Sequence, residues 1–179
     1  MLKPHQKGVT LIEIMVALVI MGVLVAAGLP SFGTFLQNRK VRNSADAIQN
    51  GLQLAKAEAV RRNTVVVFNL AAGSSWNLTC ANCTLPDGSA DVLPSMPATE
   101  MSPDVATNPA TVALNFNGFG KVSNLAAGTT STINIEKSPC LTTTAGSGIR
   151  CLRIVVTPGG QIRSCDPMLP ATSAQACPA

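Results

Sequence analysis

The sequence holds one histidine, His5, and no tyrosine, and only 12% of its residues are charged. His5 lies in the first eight residues, ahead of a long apolar run, and no pair of carboxylates or nucleophile with a base occurs at a recognisable spacing. General acid–base and nucleophilic catalysis therefore lack their side chains, and no enzyme activity is expected. No glycine-rich loop follows a strand pattern, so the phosphate-cradling motifs are missing too. Neither a cofactor nor a metal is expected, and the chain has no internal repeat. The formal charge is +4. Without Lys3 and Lys7 eleven basic side chains remain against nine acidic ones, an excess of +2 that argues only weakly for an acidic partner.

What is abundant points elsewhere. At 179 residues and 46% apolar composition, the chain supports one membrane segment and one compact domain of roughly 100 to 150 residues. Gly, Pro, Ser, Thr, Asn and Ala dominate its middle and end, a mixture that suits a loop-rich β domain. All six cysteines, Cys80, Cys83, Cys140, Cys151, Cys165 and Cys177, lie after residue 79. An even number confined to one region reads as disulfides formed outside the cytosol. Sequence proximity favours Cys140 with Cys151, Cys165 with Cys177 and Cys80 with Cys83. Zinc is the competing reading of Cys80-x-x-Cys83, although no second close pair and no histidine partner accompany it.

The N-terminus sets the class. A short polar stretch, 1–8, carries Lys3, His5 and Lys7 and gives way to the apolar run 9–29. As a helix those 21 residues span about 31 Å, close to the roughly 30 Å of bilayer hydrocarbon. The basic flank precedes the run, so 1–8 stay cytoplasmic and the remainder is exported. A secretory signal peptide cut near Val25-Ala26-Ala27 is the alternative and would release an exported soluble protein. Against it stands Glu13 inside the apolar run, where a central acidic residue costs about 2.5 to 3.5 kcal/mol and usually has a partner. The helical pattern also continues past any such cleavage site.

Lys7-Gly8 followed by Val9-Thr10-Leu11-Ile12-Glu13 resembles the type IV prepilin motif. The resemblance implies a prepilin peptidase that cuts between Gly8 and Val9 and methylates the new N-terminus at Val9. Where the family more often has Phe or Met, this chain has Val9. Independently of the name, a freed amine at Val9 would lie one helical turn from Glu13, which can neutralise it in the same chain or in a neighbour. In a low-dielectric bundle that pairing fixes the register of one subunit on the next. The resemblance assigns the intersubunit version to Glu13.

Gly22 and Gly28 interrupt the apolar run and Pro30 follows it, so a helix break is expected around Gly22 and Pro30. From 31 to 62, Val41, Ala45, Ile48, Leu52, Ala55 and Ala59 recur at spacings of four and three and form a narrow apolar stripe. Charged residues fall outside it, and Arg61 and Arg62 close it at the negative end of the helix dipole. Strand patterns follow at 65–70, 76–80, 111–116, 132–136, 151–156 and 162–165. The proline-rich stretch 85–109 reads as a long surface loop.

This order, together with Leu114-Asn115-Phe116-Asn117-Gly118-Phe119-Gly120 and Gly159-Gly160-Gln161-Ile162-Arg163-Ser164-Cys165, resembles the GspH/FimT group of minor pilins and pseudopilins. The expected class is α+β, a pilin fold with a long N-terminal helix on a C-terminal antiparallel β-sheet domain. Its parts are a leader at 1–8, a transmembrane and filament-core helix at 9–30, an amphipathic helix at 31–63 and a disulfide-containing β domain at 64–179. The group implies a single-pass inner-membrane subunit with a periplasmic C-terminal domain. It would assemble with other pilin or pseudopilin subunits into a type IV pilus or a type II secretion pseudopilus.

Within 151–156, Leu152, Ile154 and Val156 share one face. Pairing Ile162 opposite Val156 makes Pro158-Gly159-Gly160 a hairpin turn and sets Cys165 opposite Arg153. Arg153 and Arg163 then emerge together on the other face. Two guanidinium groups can grip phosphates, and FimT-type pilins are associated with DNA capture through a Gly-Arg-x-Arg stretch here. In this chain it reads Gly160-Gln161-Ile162-Arg163, with the first arginine missing. Weak DNA binding through Arg163 and Arg153, with Arg150 or Lys121 as auxiliaries, is the alternative function; solvated surface arginines are the plain reading.

Overall fold

The computed structural model describes residues 8–80, 83, 93–141 and 148–178, apart from the side chains of 27 and 29–31. The chain divides into two units, Met1–Leu36 and Gln37–Ala179. Helix α1 (Leu11–Arg62) contributes to both, and its helical assignment includes Gly22 and Pro30, where the sequence leads one to expect a break.

In the first unit every described side chain from 8 to 26 is exposed. The large apolar ones among them, such as Leu11 at 78% and Ile12 at 70%, have no protein cover.

The second unit begins with the rest of α1. Val41, Ala45, Ile48, Leu52, Ala55 and Ala59, the six positions of the stripe, are all fully buried. Burying a side chain such as Ile48 or Leu52 contributes roughly 1.5 to 3 kcal/mol, so this stripe is the main anchor of the helix. Asn63 ends α1 in the left-handed region at φ 48, with its N–H donating to the Val60 carbonyl and that of Thr64 to the Ala59 carbonyl. Such a cap satisfies carbonyls that the last turn would leave bare. Glu58 accepts from Arg61 at 2.6 Å and Arg62 at 2.8 Å, and both arginines hold its carboxyl below the ordinary carboxylate value.

Eight strands follow among the described residues: β1 (Val66–Leu70), β2 (Trp76–Cys80), β3 (Ser95–Met96), β4 (Ala106–Asn108), β5 (Val112–Phe116), β6 (Ser131–Glu136), β7 (Leu152–Val156) and β8 (Ile162–Cys165). They form two antiparallel four-stranded sheets, in the orders β3-β2-β1-β5 and β4-β6-β7-β8. Alternation puts Val66, Phe68 and Leu70 of β1, Leu114 and Phe116 of β5, Ile133 and Ile135 of β6, and Ile154 and Val156 of β7 into one core with the helical stripe. Gly51 of α1 leaves room for the Trp76 ring, which a Cβ there would meet at 2.6 Å.

The long-loop expectation for 85–109 needs correction where residues are described. Residues 85–92 lie outside them, but 93–109 carry β3, one 3-10 turn (Ala98–Glu100) and β4, and they bury Met101, Val105 and Thr107. The prolines sit between these short pieces and so do not prevent them.

Candidate functional site

Two regions hold the residues that the sequence singles out. At the N-terminus, Gly8 and Val9 precede the helix, and the Thr10 carbonyl and hydroxyl accept the Glu13 N–H at 3.1 and 3.4 Å. Thr10 is thus the N-cap, with Glu13 three residues on in capping-box spacing. Thr10-x-x-Glu13 is the sequence signature of that cap. In the uncut chain the Val9 nitrogen is an amide, so the cation that Glu13 would neutralise arises only on cleavage. Among the described residues no helix is long and apolar enough to cross a membrane. The unbroken run of described side chains, 11–26, covers about 24 Å, and the apolar sequence continues to Leu29.

The second region is the β7–β8 hairpin. Its register pairs Val156 with Ile162, Val155 with Arg163 and Arg153 with Cys165, as the parity of the two strands demands. The face bearing the arginines is not bare, however. Val155 and Cys165 are buried on it, and the C-terminal segment lies along β8. Arg163 donates to the carbonyls of Ala174 at 2.6 Å and Ala176 at 3.1 Å. Arg153 donates to Asn134 Oδ1 at 2.7 Å. Arg150 pairs with Asp166 at 3.0 Å, and Asp166 takes the Met168 N–H on its other oxygen. Lys121 is exposed at the turn after β5. The two hairpin arginines therefore share a face but are engaged by the fold, an outcome that strand parity could not reveal because the covering segment comes from outside the hairpin.

The cysteines pair as Cys80–Cys83, Cys140–Cys151 and Cys165–Cys177. The last ties the C-terminal segment to β8, and Cys140–Cys151 closes a loop whose Cys151 end is held by α1. There the Asn38 amide accepts the Arg150 N–H at 2.7 Å and donates to the Gly148 carbonyl at 3.2 Å. Nothing in the local sequence marks Asn38 for that role.

Near the end of α1 three segments meet. Lys56 Nζ donates to the Gly160 carbonyl at 2.9 Å, and the Val122 N–H donates to the Pro158 carbonyl at 2.9 Å. The glycines of both family-like motifs are the ones that let these backbones approach. Gly118 abuts Asn63, and Gly120 abuts Lys56 and Val60. A model of the family described as type II transport protein GspH matches residues 44–160, about two thirds of the chain.

The chain belongs to the GspH family. A prokaryotic N-terminal methylation motif matches residues 3–29, so this member carries both the pilin-type N-terminus and the GspH domain. It is a minor pilin or pseudopilin subunit, and subunits of this kind assemble with other pilins in structural, non-enzymatic roles. Its fold is similar to that of the type IV minor pilin FimU of Pseudomonas aeruginosa. One crystal form matches over 80% of this chain and 98% of that one at 16% identity and a TM-score of 0.53. A second crystal form of FimU matches over 76% and 98% at 17% identity and a TM-score of 0.50. Comparison with curated protein sequences gives no match.

Proposed function

We propose that this GspH-family subunit is cut between Gly8 and Val9 by a prepilin peptidase, is methylated on Val9 and resides in the inner membrane by residues 9–30. Its C-terminal domain is then periplasmic until the subunit is drawn into a type IV pilus or type II secretion pseudopilus. The carrying observation is the uncovered run 11–26, apolar throughout except for Glu13. Such a surface needs lipid before assembly and other subunits' helices after it. The lone carboxylate then meets the amine of a neighbour's Val9, which sets axial register.

Mass spectrometry of the mature N-terminus tests the processing step. A methylated Val9 is expected, and a terminus near Gly28 would instead establish a secreted protein. Glu13→Ala tests the pairing, since it should leave insertion intact and reduce incorporation into filaments; normal incorporation would sink the register argument. DNA capture by the hairpin draws no support from the geometry, because Arg153 and Arg163 have intramolecular partners.

A further inference from the structure

Among the described residues, five cations meet at one end of the second unit. β6 and β7 pair Ile135 with Leu152, so Lys137, just past β6, and Arg150, just before β7, leave the sheet at the same end. Ahead of β4, which pairs Ala106 with Glu136 there, Asp104 accepts from Lys40 of α1 at 2.9 Å and lies 3.4 Å from Lys137. The Asn38 amide holds the Gly148 carbonyl and the Arg150 N–H at the same place. The first turns of α1 in this unit are thus bonded to that end of the sheet, and Arg39 and Arg42 stand on them, both exposed.

Carboxylates do not balance these cations. Asp104 serves two lysines, Asp166 pairs with Arg150 and Glu136 ends β6 beside Lys137, so five cations face three anions, a surplus of two positive charges. Arg42 has no ion pair or hydrogen bond among the described residues. Asp46, the next acidic group on α1, stands one turn beyond it, about 6 Å further from the entry end. Position matters as much as charge. The chain enters this unit at Gln37, eight residues after Leu29 closes the apolar run. Arg39 therefore lies about 15 Å of helix beyond Leu29. A headgroup layer of about 5 to 8 Å fills part of that distance, and an arginine side chain with a Debye length of about 8 Å covers the rest.

We infer that this end is a docking surface for anionic phospholipid headgroups, on which Arg39, Lys40, Arg42, Lys137 and Arg150 hold the domain to the membrane until the subunit is drawn into a filament. Guanidinium groups take phosphate oxygens in paired hydrogen bonds, and each basic side chain near an anionic surface adds to the attraction. The tether makes a surplus of two charges sufficient, because lipid is present at high effective concentration and no free partner has to be captured. The inference rests on the proposed membrane residence of residues 9–30.

The test uses the full chain reconstituted in vesicles of phosphatidylcholine, alone or mixed with phosphatidylglycerol. Asn43→p-benzoylphenylalanine places a photocrosslinker at an exposed position next to Arg42. Its attachment to lipid should rise several-fold when phosphatidylglycerol is present and fall back in high salt. Arg42→Glu cancels the surplus and should remove most of that rise, while denaturant unfolding stays that of the parent chain because the Arg42 side chain is exposed and unpaired. Phe119→p-benzoylphenylalanine is the control, on a turn packed near the other end of α1 in this unit, and should attach to little lipid in either vesicle. Equal attachment from position 43 in the two lipids, a rise that survives Arg42→Glu and high salt, or equal attachment from position 119 would overturn the docking surface. Flotation after an alkaline wash scores membrane residence separately. A chain that stays in the bilayer without phosphatidylglycerol-dependent attachment overturns the docking alone, whereas a chain that washes out overturns the residence and the docking with it.

Discussion

The carbonyl oxygen of Gly120 occupies the place that a Cβ on Gly160 would take, and both glycines lie in the left-handed region, at φ 73 and φ 76. Two turns forty residues apart in sequence are thus joined backbone to backbone beside Lys56 of α1. Gly160→Ala should cost roughly 2 to 4 kcal/mol, left-handed strain plus the displacement of a backbone that has nowhere to go. Gly128→Ala is the control, since Gly128 has φ 79 but open space around it. It should cost only about 1 to 2 kcal/mol. Denaturant unfolding of both variants with disulfides intact measures the difference; equal costs would show that the contact with Gly120 is unimportant.

Asp104 accepts from Lys40 of α1 at 2.9 Å and lies 3.4 Å from Lys137, just past β6. The hydrogen bond from Lys40, then the charge of Lys137, holds its carboxyl below the ordinary value of 3.8. A depressed folded value means that the stabilisation is present above 3.8 and is lost as the pH falls through the folded value. Melting temperatures of wild type and Asp104→Asn should therefore differ at pH 7 and converge in strong acid. A gap that persists at the acid end would assign the effect to something other than this charge.

Asn38 holds Arg150 and Gly148 with one amide, as a neighbouring strand would. Asn38→Ala should cost about 1 kcal/mol, because water can reach the two backbone groups it releases. Asn38→Asp keeps an acceptor for the Arg150 N–H but loses the donor to the Gly148 carbonyl, so an intermediate loss is expected. Hydrogen exchange at the Arg150 N–H separates the two variants, faster in Ala than in Asp.

Arg163 is first a fastener of the C-terminal segment. Arg163→Ala should speed hydrogen exchange in 174–177 and lower stability by about 1 kcal/mol, the side chain being exposed. Duplex DNA binding by the chain should be weak, with a log-log salt slope of only about 2 to 4 in magnitude. Gln161→Arg should strengthen it by adding an exposed cation to the same hairpin. Titration at two salt concentrations checks both; a steep slope in the wild type would restore the hairpin as a nucleic-acid site.

Much of this architecture is local and therefore legible in sequence. The stripe from Val41 to Ala59 repeats at the helical period, and period-two alternation located β1, β2, β5, β6, β7 and β8 to within a residue or so. The hairpin register follows from parity alone, because Leu152, Ile154 and Val156 can face the core in only one phase. The division of the strands into two sheets, the pairing of β4 with β6 and the burial of Val105 and Thr107 were not legible. Those depend on which distant segments meet, and β3 and β4 are too short to show a period.

The sequence by itself determined the class of this protein: a basic stretch before Gly8, Glu13 inside an apolar run and an amphipathic continuation are features of consecutive residues, legible along one helix. Only the tertiary structure decided what the surface residues do. Arg163 became a clasp because Ala174 and Ala176 fold back onto β8, and Asn38 became a clamp because Gly148 and Arg150 arrive beside α1. Phe119 stands in solvent on a fixed turn because Asn117 bonds across it and Gly118 and Gly120 pack against Asn63 and α1. A side chain's partners are set by chain segments far away in sequence, and periodicity carries no information about those.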